Sequence, residues 1–157
     1  MTYVTEFEFC REEDGSVRAD PLGYCTEQAW GDDLEDALEA AHEALSHTVD
    51  ESLINGTRLP QWEIGHDARR GGQVIAVAVT RELSGIPAIC ASDAADILGI
   101  SRSRVGQLCR RGLLESWKEG RSRMVSLRSI HERLLSRQEA GIAADAGATH
   151  EALPPSL

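Results

Sequence analysis

The sequence predicts an α+β fold in two units, an acidic β-β-β-α-β half followed by a basic, mainly helical half. Three observations lead there. The first is charge: the 157 residues carry a net −10, yet residues 1–86 hold 18 acidic and 6 basic side chains while residues 87–138 hold 5 and 10. Such asymmetry fits two modules with different partners. The second is periodicity, which runs at two residues, then at three to four, then at two again. The third is punctuation, with Gly85-Ile86-Pro87 lying where the charge changes sign. The expected units are 1–84, 88–137 and a tail, 138–157, without fixed structure. Aromatics make up only 4% of the chain, so both cores must be aliphatic.

Taken in order, Tyr3, Thr5, Phe7 and Phe9 alternate with Val4, Glu6 and Glu8, the pattern of a half-buried strand. Glu12 to Ser16 form a polar turn around Gly15, and residues 16–19 return as a second strand. A turn at Asp20-Pro21-Leu22-Gly23 leads to a third, residues 24–30. A helix is expected over 32–54, where Leu34, Leu38, Ala41, Leu45, Val49 and Leu53 form one stripe. Asp32, Asp33, Glu35 and Asp36 suit the positive end of its dipole, and Asn55-Gly56 stops it before Pro60. Residues 61–72 read as a loop. The apolar run 74–79 reads as a central strand, covered on both faces or partly paired with another chain.

In the second half, Cys90 or Ser92 opens a short helix that Gly99 ends. Ser101 is suited to cap a second, residues 102–111, which stops at Gly112. Strands at 113–118 and 123–127 flank Glu119-Gly120-Arg121-Ser122. A last helix follows over 128–137, with Leu127, Ile130 and Leu134 inward.

Several classes are excluded by expectation. No apolar run approaches the ~20 residues that cross a bilayer, and Met1 to Glu6 lack the basic and apolar regions of a signal peptide. A cytoplasmic protein with no membrane partner is expected. Cys10, Cys25, Cys90 and Cys109 show no C-x-x-C pair, so neither a zinc site nor a disulfide is expected. Glu6 and Glu8 share a strand face near Asp20, but no nucleophile or phosphate-binding loop accompanies them. They read as solvated acids. No enzyme activity, metal or cofactor is expected.

The run from Ala94 to Leu108 has a physical logic at each step. Ala94 and Ala95 let two helices cross closely, Gly99 turns, Ile100 fills the space between them, and Ser101 caps. Val105 and Leu108 face the first helix, leaving Arg102, Ser103, Gly106, Gln107 and Arg110 outward. Arginine suits guanine edges and glutamine adenine in a major groove, while Ser103, Arg104 and Arg111 are within reach of phosphates. With Arg-Arg-Gly-Leu-Leu following, residues 88–135 resemble the helix-turn-helix modules of the excisionase and MerR-like winged families. Gly106 stands where those families often carry a larger side chain. The resemblance implies a winged fold in which Lys118, Arg121 and Arg123 touch the DNA backbone or minor groove. It implies an interface of Ser101, Arg102, Ser103, Arg104, Gln107, Arg110, Arg111 and those three wing residues, with Arg102 meeting base edges.

In the first half, Asp20 to Thr26 and the segment Trp30-Gly31-Asp32-Asp33-Leu34-Glu35-Asp36-Ala37 resemble the turn and helix start of HicB-type antitoxins. That resemblance implies a partial ribonuclease H-like fold without an active site, covering a small basic RNase toxin (HicA-like) while the second unit represses the operon. The alternative is an orphan transcription regulator whose first unit only oligomerises or senses a ligand. Either protein is expected to work as a homo-oligomer on double-stranded DNA, because single modules bury little surface there and linking two raises effective concentration. The 74–79 strand is the expected interface.

Overall fold

Ten residues, Thr2–Arg11, form β1, the strand around which the first unit assembles. The computed structural model describes residues 1–148. By contact it divides into Met1–Ile86 and a second unit beginning at Pro87. β2 (Val17–Pro21) pairs antiparallel with the second half of β1, and β3 (Ala29–Gly31) pairs with β2. The helix α1 (Leu34–Asn55) follows. Next come β4 (Trp62–Glu63), parallel to β1 at Val4 and Thr5, and β5 (Gln73–Thr80), antiparallel to β1 from Thr2 to Phe9. Phe7, Phe9, Val17, Ala19, Val77 and Val79 form one core with Ala37, Ala41, Leu45 and Val49 of α1. Asp33 caps α1 by accepting the Asp36 amide at 3.0 Å, and Gly56 closes it at φ 68°.

Several expectations are corrected here. The third strand shrinks from residues 24–30 to Ala29–Gly31, because the Tyr24 amide donates to the Glu63 carboxylate (2.8 Å) instead of to a strand. Leu34 heads α1 but remains exposed. The loop 61–72 contains β4. The largest correction concerns β5: among the described residues it pairs only with β1, so it is an edge strand. Its burial alternates accordingly, Val77 and Val79 inward, Ala76 and Ala78 exposed. The run is covered on one face and not on both, and among the described residues its other edge has no partner strand. Finally, β1 does not have a solvated side, since Val4 and Glu8 are buried.

In the second unit, β6 (Ala88–Cys90), which the sequence did not suggest, pairs with β8 (Ser122–Ser126), and β8 pairs with β7 (Ser116–Glu119). Three helices complete it: α2 (Ala91–Leu98), α3 (Arg102–Arg110) and α4 (Leu127–Ala148). Ala94, Ala95, Leu98, Val105, Leu108, Leu114, Val125 and Ile130 make its core. The first hairpin strand begins at Ser116 rather than at residue 113, and Leu127 starts α4 exposed instead of ending a strand inward. The expected structureless tail is corrected over residues 138–148, where α4 continues. This stretch is rich in alanine, the strongest helix former, so the helix propagates past its packed turns. The rest of that tail lies outside the described residues.

Candidate nucleic-acid interface

The geometry of α3 is set at both ends of the turn before it. Gly99 adopts φ 63° and donates to the Asp96 carbonyl at 3.2 Å, which ends α2, while Arg137 Nη1 donates to the Leu98 carbonyl (2.8 Å). Ser101 accepts the Arg104 amide at 3.2 Å and starts α3. Val105 and Leu108 are 0% and 1% exposed, so the roll of α3 is fixed by packing. That roll leaves Arg102, Ser103, Arg104, Gln107 and Arg110 exposed, with Ser101 before them and Arg111 after. A Cβ added at Gly106 would meet only Arg110 Nη1, at 3.4 Å, so the exposed face is shallow there. Arg104 Nη1 donates to Gln107 Oε1 at 2.9 Å. Gln107 Oε1 keeps a second lone pair and Nε2 both of its donors, so a two-bond contact to adenine is compatible with that bond.

The hairpin of β7 and β8 turns through Gly120, φ 59°, and Arg121. Its register sets Lys118 opposite Arg123. Like charges directly across a hairpin repel. Arg123 is steadied by donating to Ser116 Oγ at 2.8 Å, a bond that leaves its charge uncompensated. Elsewhere some arginines are paired, among them Arg128 with Glu115 and Arg18 with Glu12 and Asp20. Arg102, Arg104, Arg110, Arg111, Lys118, Arg121 and Arg123 form no ion pair among the described residues. A cleft of about 170 Å³ joins some of these groups, lined by Cys90, Ala91, Ser92, Arg102, Ser122 and Arg123. Sequence reasoning missed Cys90 and Ser92 as neighbours of the wing, because β6, which brings them there, was not foreseen.

The acids of β1 have a different fate from the solvated one expected. Glu8 Oε1 accepts the amides of Arg70 (2.7 Å) and Gly72 (2.9 Å), and Oε2 accepts that of Arg69 (2.8 Å). Glu6 Oε2 accepts the His66 amide at 2.8 Å and lies 2.8 Å from His66 Nδ1. Both carboxylates therefore pin residues 66–72 over the outer face of β1. Asp20 takes Arg18 Nε (2.9 Å) and Gln28 Nε2 (2.7 Å).

The amide and then the imidazole of His66 hold the Glu6 carboxyl below its ordinary value of 4.5. A lowered folded value means that the anchor contributes fully above 4.5 and is lost as pH falls through the folded value. Protection of the His66 amide from hydrogen exchange, corrected for intrinsic rate, is expected to hold at neutral pH and fall in acid. A Glu6→Gln variant should lack that acid limb.

Residues 91–138 match the family model of a helix-turn-helix domain. No curated protein matches the chain, and no solved structure does. The second unit thus carries a helix-turn-helix domain, which fits a DNA-binding regulator. No helix among the described residues is long and apolar enough to cross a membrane.

Proposed function

We infer, from a helix-turn-helix domain whose exposed face and hairpin hold seven cations without an ion pair among the described residues, that this chain is a repressor of double-stranded DNA and the antitoxin of a type II toxin–antitoxin pair. The seven cations are the observation that carries the DNA reading. In this reading α3 enters the major groove and the hairpin is a wing on the backbone. The HicB-like first unit covers a small basic RNase toxin in the cytoplasm, and its net −12 charge over residues 1–86 favours encounter with a basic partner. Its role is binding rather than catalysis, since Glu6, Glu8 and Asp20 are committed to the protein's own donors.

Two copies act together in this proposal. β5 offers an eight-residue edge with no proline and no charged side chain, in a unit that otherwise repels its like. Val77 points into the core, so a charge there would unfold the unit. Ala76 and Ala78 are the informative positions.

Light scattering is expected to find a homo-oligomer that Ala76→Glu with Ala78→Glu converts to a monomer. Co-expression with the adjacent short basic reading frame is expected to give a stable complex, and the oligomer to bind the DNA upstream of that pair. A monomer that grips a single half-site tightly would sink the oligomer, and a host pull-down without any small basic protein would sink the antitoxin reading. An orphan, ligand-sensing regulator has one observation in its favour, a cavity of about 570 Å³ whose lining includes Asp20, Thr26, Gln28, Arg69 and Arg70. That volume lies in the range of small-molecule sites.

A further inference from the structure

We propose that the cleft between the starts of α2, α3 and β8 is the seat of one phosphodiester of bound duplex DNA, so that Arg102 holds backbone instead of reading a base. The inference rests on the DNA-binding reading above and adds a site to it. Arg102 and Arg123 line the cleft together, and neither has an acidic partner among the described residues. No carboxylate lines it, and the remaining polar groups are the Ser92 and Ser122 hydroxyls and the Cys90 thiol. Two arginines and two serines from α2, α3 and β8 line it, and guanidinium and hydroxyl donors suit the acceptor oxygens of a phosphate; Arg123 keeps donors beyond the one it gives Ser116. The cleft's volume, about 170 Å³, falls below the ~300 Å³ where small-molecule pockets begin, so it suits one compact group.

Local bonding agrees. Cys90, the N-cap of α2, makes no side-chain cap bond, so its thiol does not occupy the first amides of that helix. Cys90 Sγ lies 3.0 Å from Ser92 Oγ; when the thiol donates, the Ser92 proton is free for an anion. The assembly depends on β6: Cys90 sits opposite Met124, the neighbour of Arg123, which ties the start of α2 to the wing. A phosphate held there would be gripped at once by the first helix, the reading helix and the wing. That contact sets the depth of α3 in the groove without carrying sequence information.

The test uses the full chain and a fluorescent mixed-sequence duplex, with affinity measured across a chloride series. Arg102→Gln and Arg123→Gln should each reduce the slope of log affinity against log salt by about one, leaving the ranking of different duplexes unchanged. In the unaltered protein, bound duplex should slow alkylation of Cys90 by iodoacetamide, read by mass spectrometry. Arg110→Gln should keep that protection once duplex is saturating, and inorganic phosphate at equal ionic strength should not reproduce it. The proposal is overturned if Arg102→Gln changes the ranking but not the slope, or if Cys90 reacts equally fast with and without duplex. Protection by inorganic phosphate alone would make the cleft a free-anion site instead. An unaltered protein that binds no duplex at all defeats the DNA reading itself, a result distinct from binding with an unprotected Cys90.

Discussion

Replacing Glu8 with leucine is expected to destabilise the first unit by about 3–5 kcal/mol, because a hydrogen bond to a charged group contributes about 1.5–3 kcal/mol and three part-buried ones would be lost together. Glu8 is 1% exposed and accepts the amides of Arg69, Arg70 and Gly72. Leucine fills a similar volume and offers no acceptor. The loop cannot simply lift to find water, since Gly72 is wedged against the strand: a Cβ there would lie 2.5 Å from the Phe9 carbonyl oxygen. Glu8→Gln separates the contributions. It keeps an acceptor for the two amides on Oε1, but it loses the charge and sets an NH₂ against the Arg69 amide. Its cost should be smaller, about 1–2 kcal/mol. Urea unfolding gives both values, and exchange at residues 69–72 shows whether the loop opens first. A leucine variant as stable as the original would mean that these amides find other partners and that the carboxylate is not their anchor.

The second large effect is expected at Leu108, where truncation to alanine should cost about 2–5 kcal/mol, the usual range for a buried leucine. Leu108 is 1% exposed and shares the core of the second unit with Val105, Leu98 and Leu114. A unit this small rarely holds more than about 3–5 kcal/mol in reserve. Leu108→Ala should therefore abolish protection from exchange across α2 and α3 and remove DNA binding, although it touches no exposed cation. Protection of β1 and α1 should survive, because their core contains no residue of the second unit. Loss of protection in both units together would show that they unfold as one. Retained DNA binding by an otherwise unfolded second unit would place the interface elsewhere.

What the sequence determined by itself is the local architecture of both units. Gly99, Ser101, Val105 and Leu108 lay out α2, its turn and the roll of α3, because a left-handed turn residue, a side-chain cap and three- and four-residue spacing act within one or two turns of helix. Asp33 and Gly56 bound α1 for the same reason. The exposure of Arg102, Arg104, Gln107 and Arg110 follows directly from that spacing.

Tertiary structure alone decided where distant groups meet. Glu6 and Glu8 look like solvated acids in an alternating strand, and their partners lie 60 to 64 residues away in a stretch without periodicity. β5 looks central because apolar content reports burial but not the number of neighbouring strands; the sheet made it an edge. The three residues of β6 are too few to leave a pattern, yet their pairing with β8 brings Cys90 and Ser92 beside Arg123. Local signals are written in neighbouring residues, whereas a hydrogen bond across a loop or a shared cleft depends on how the chain returns to itself.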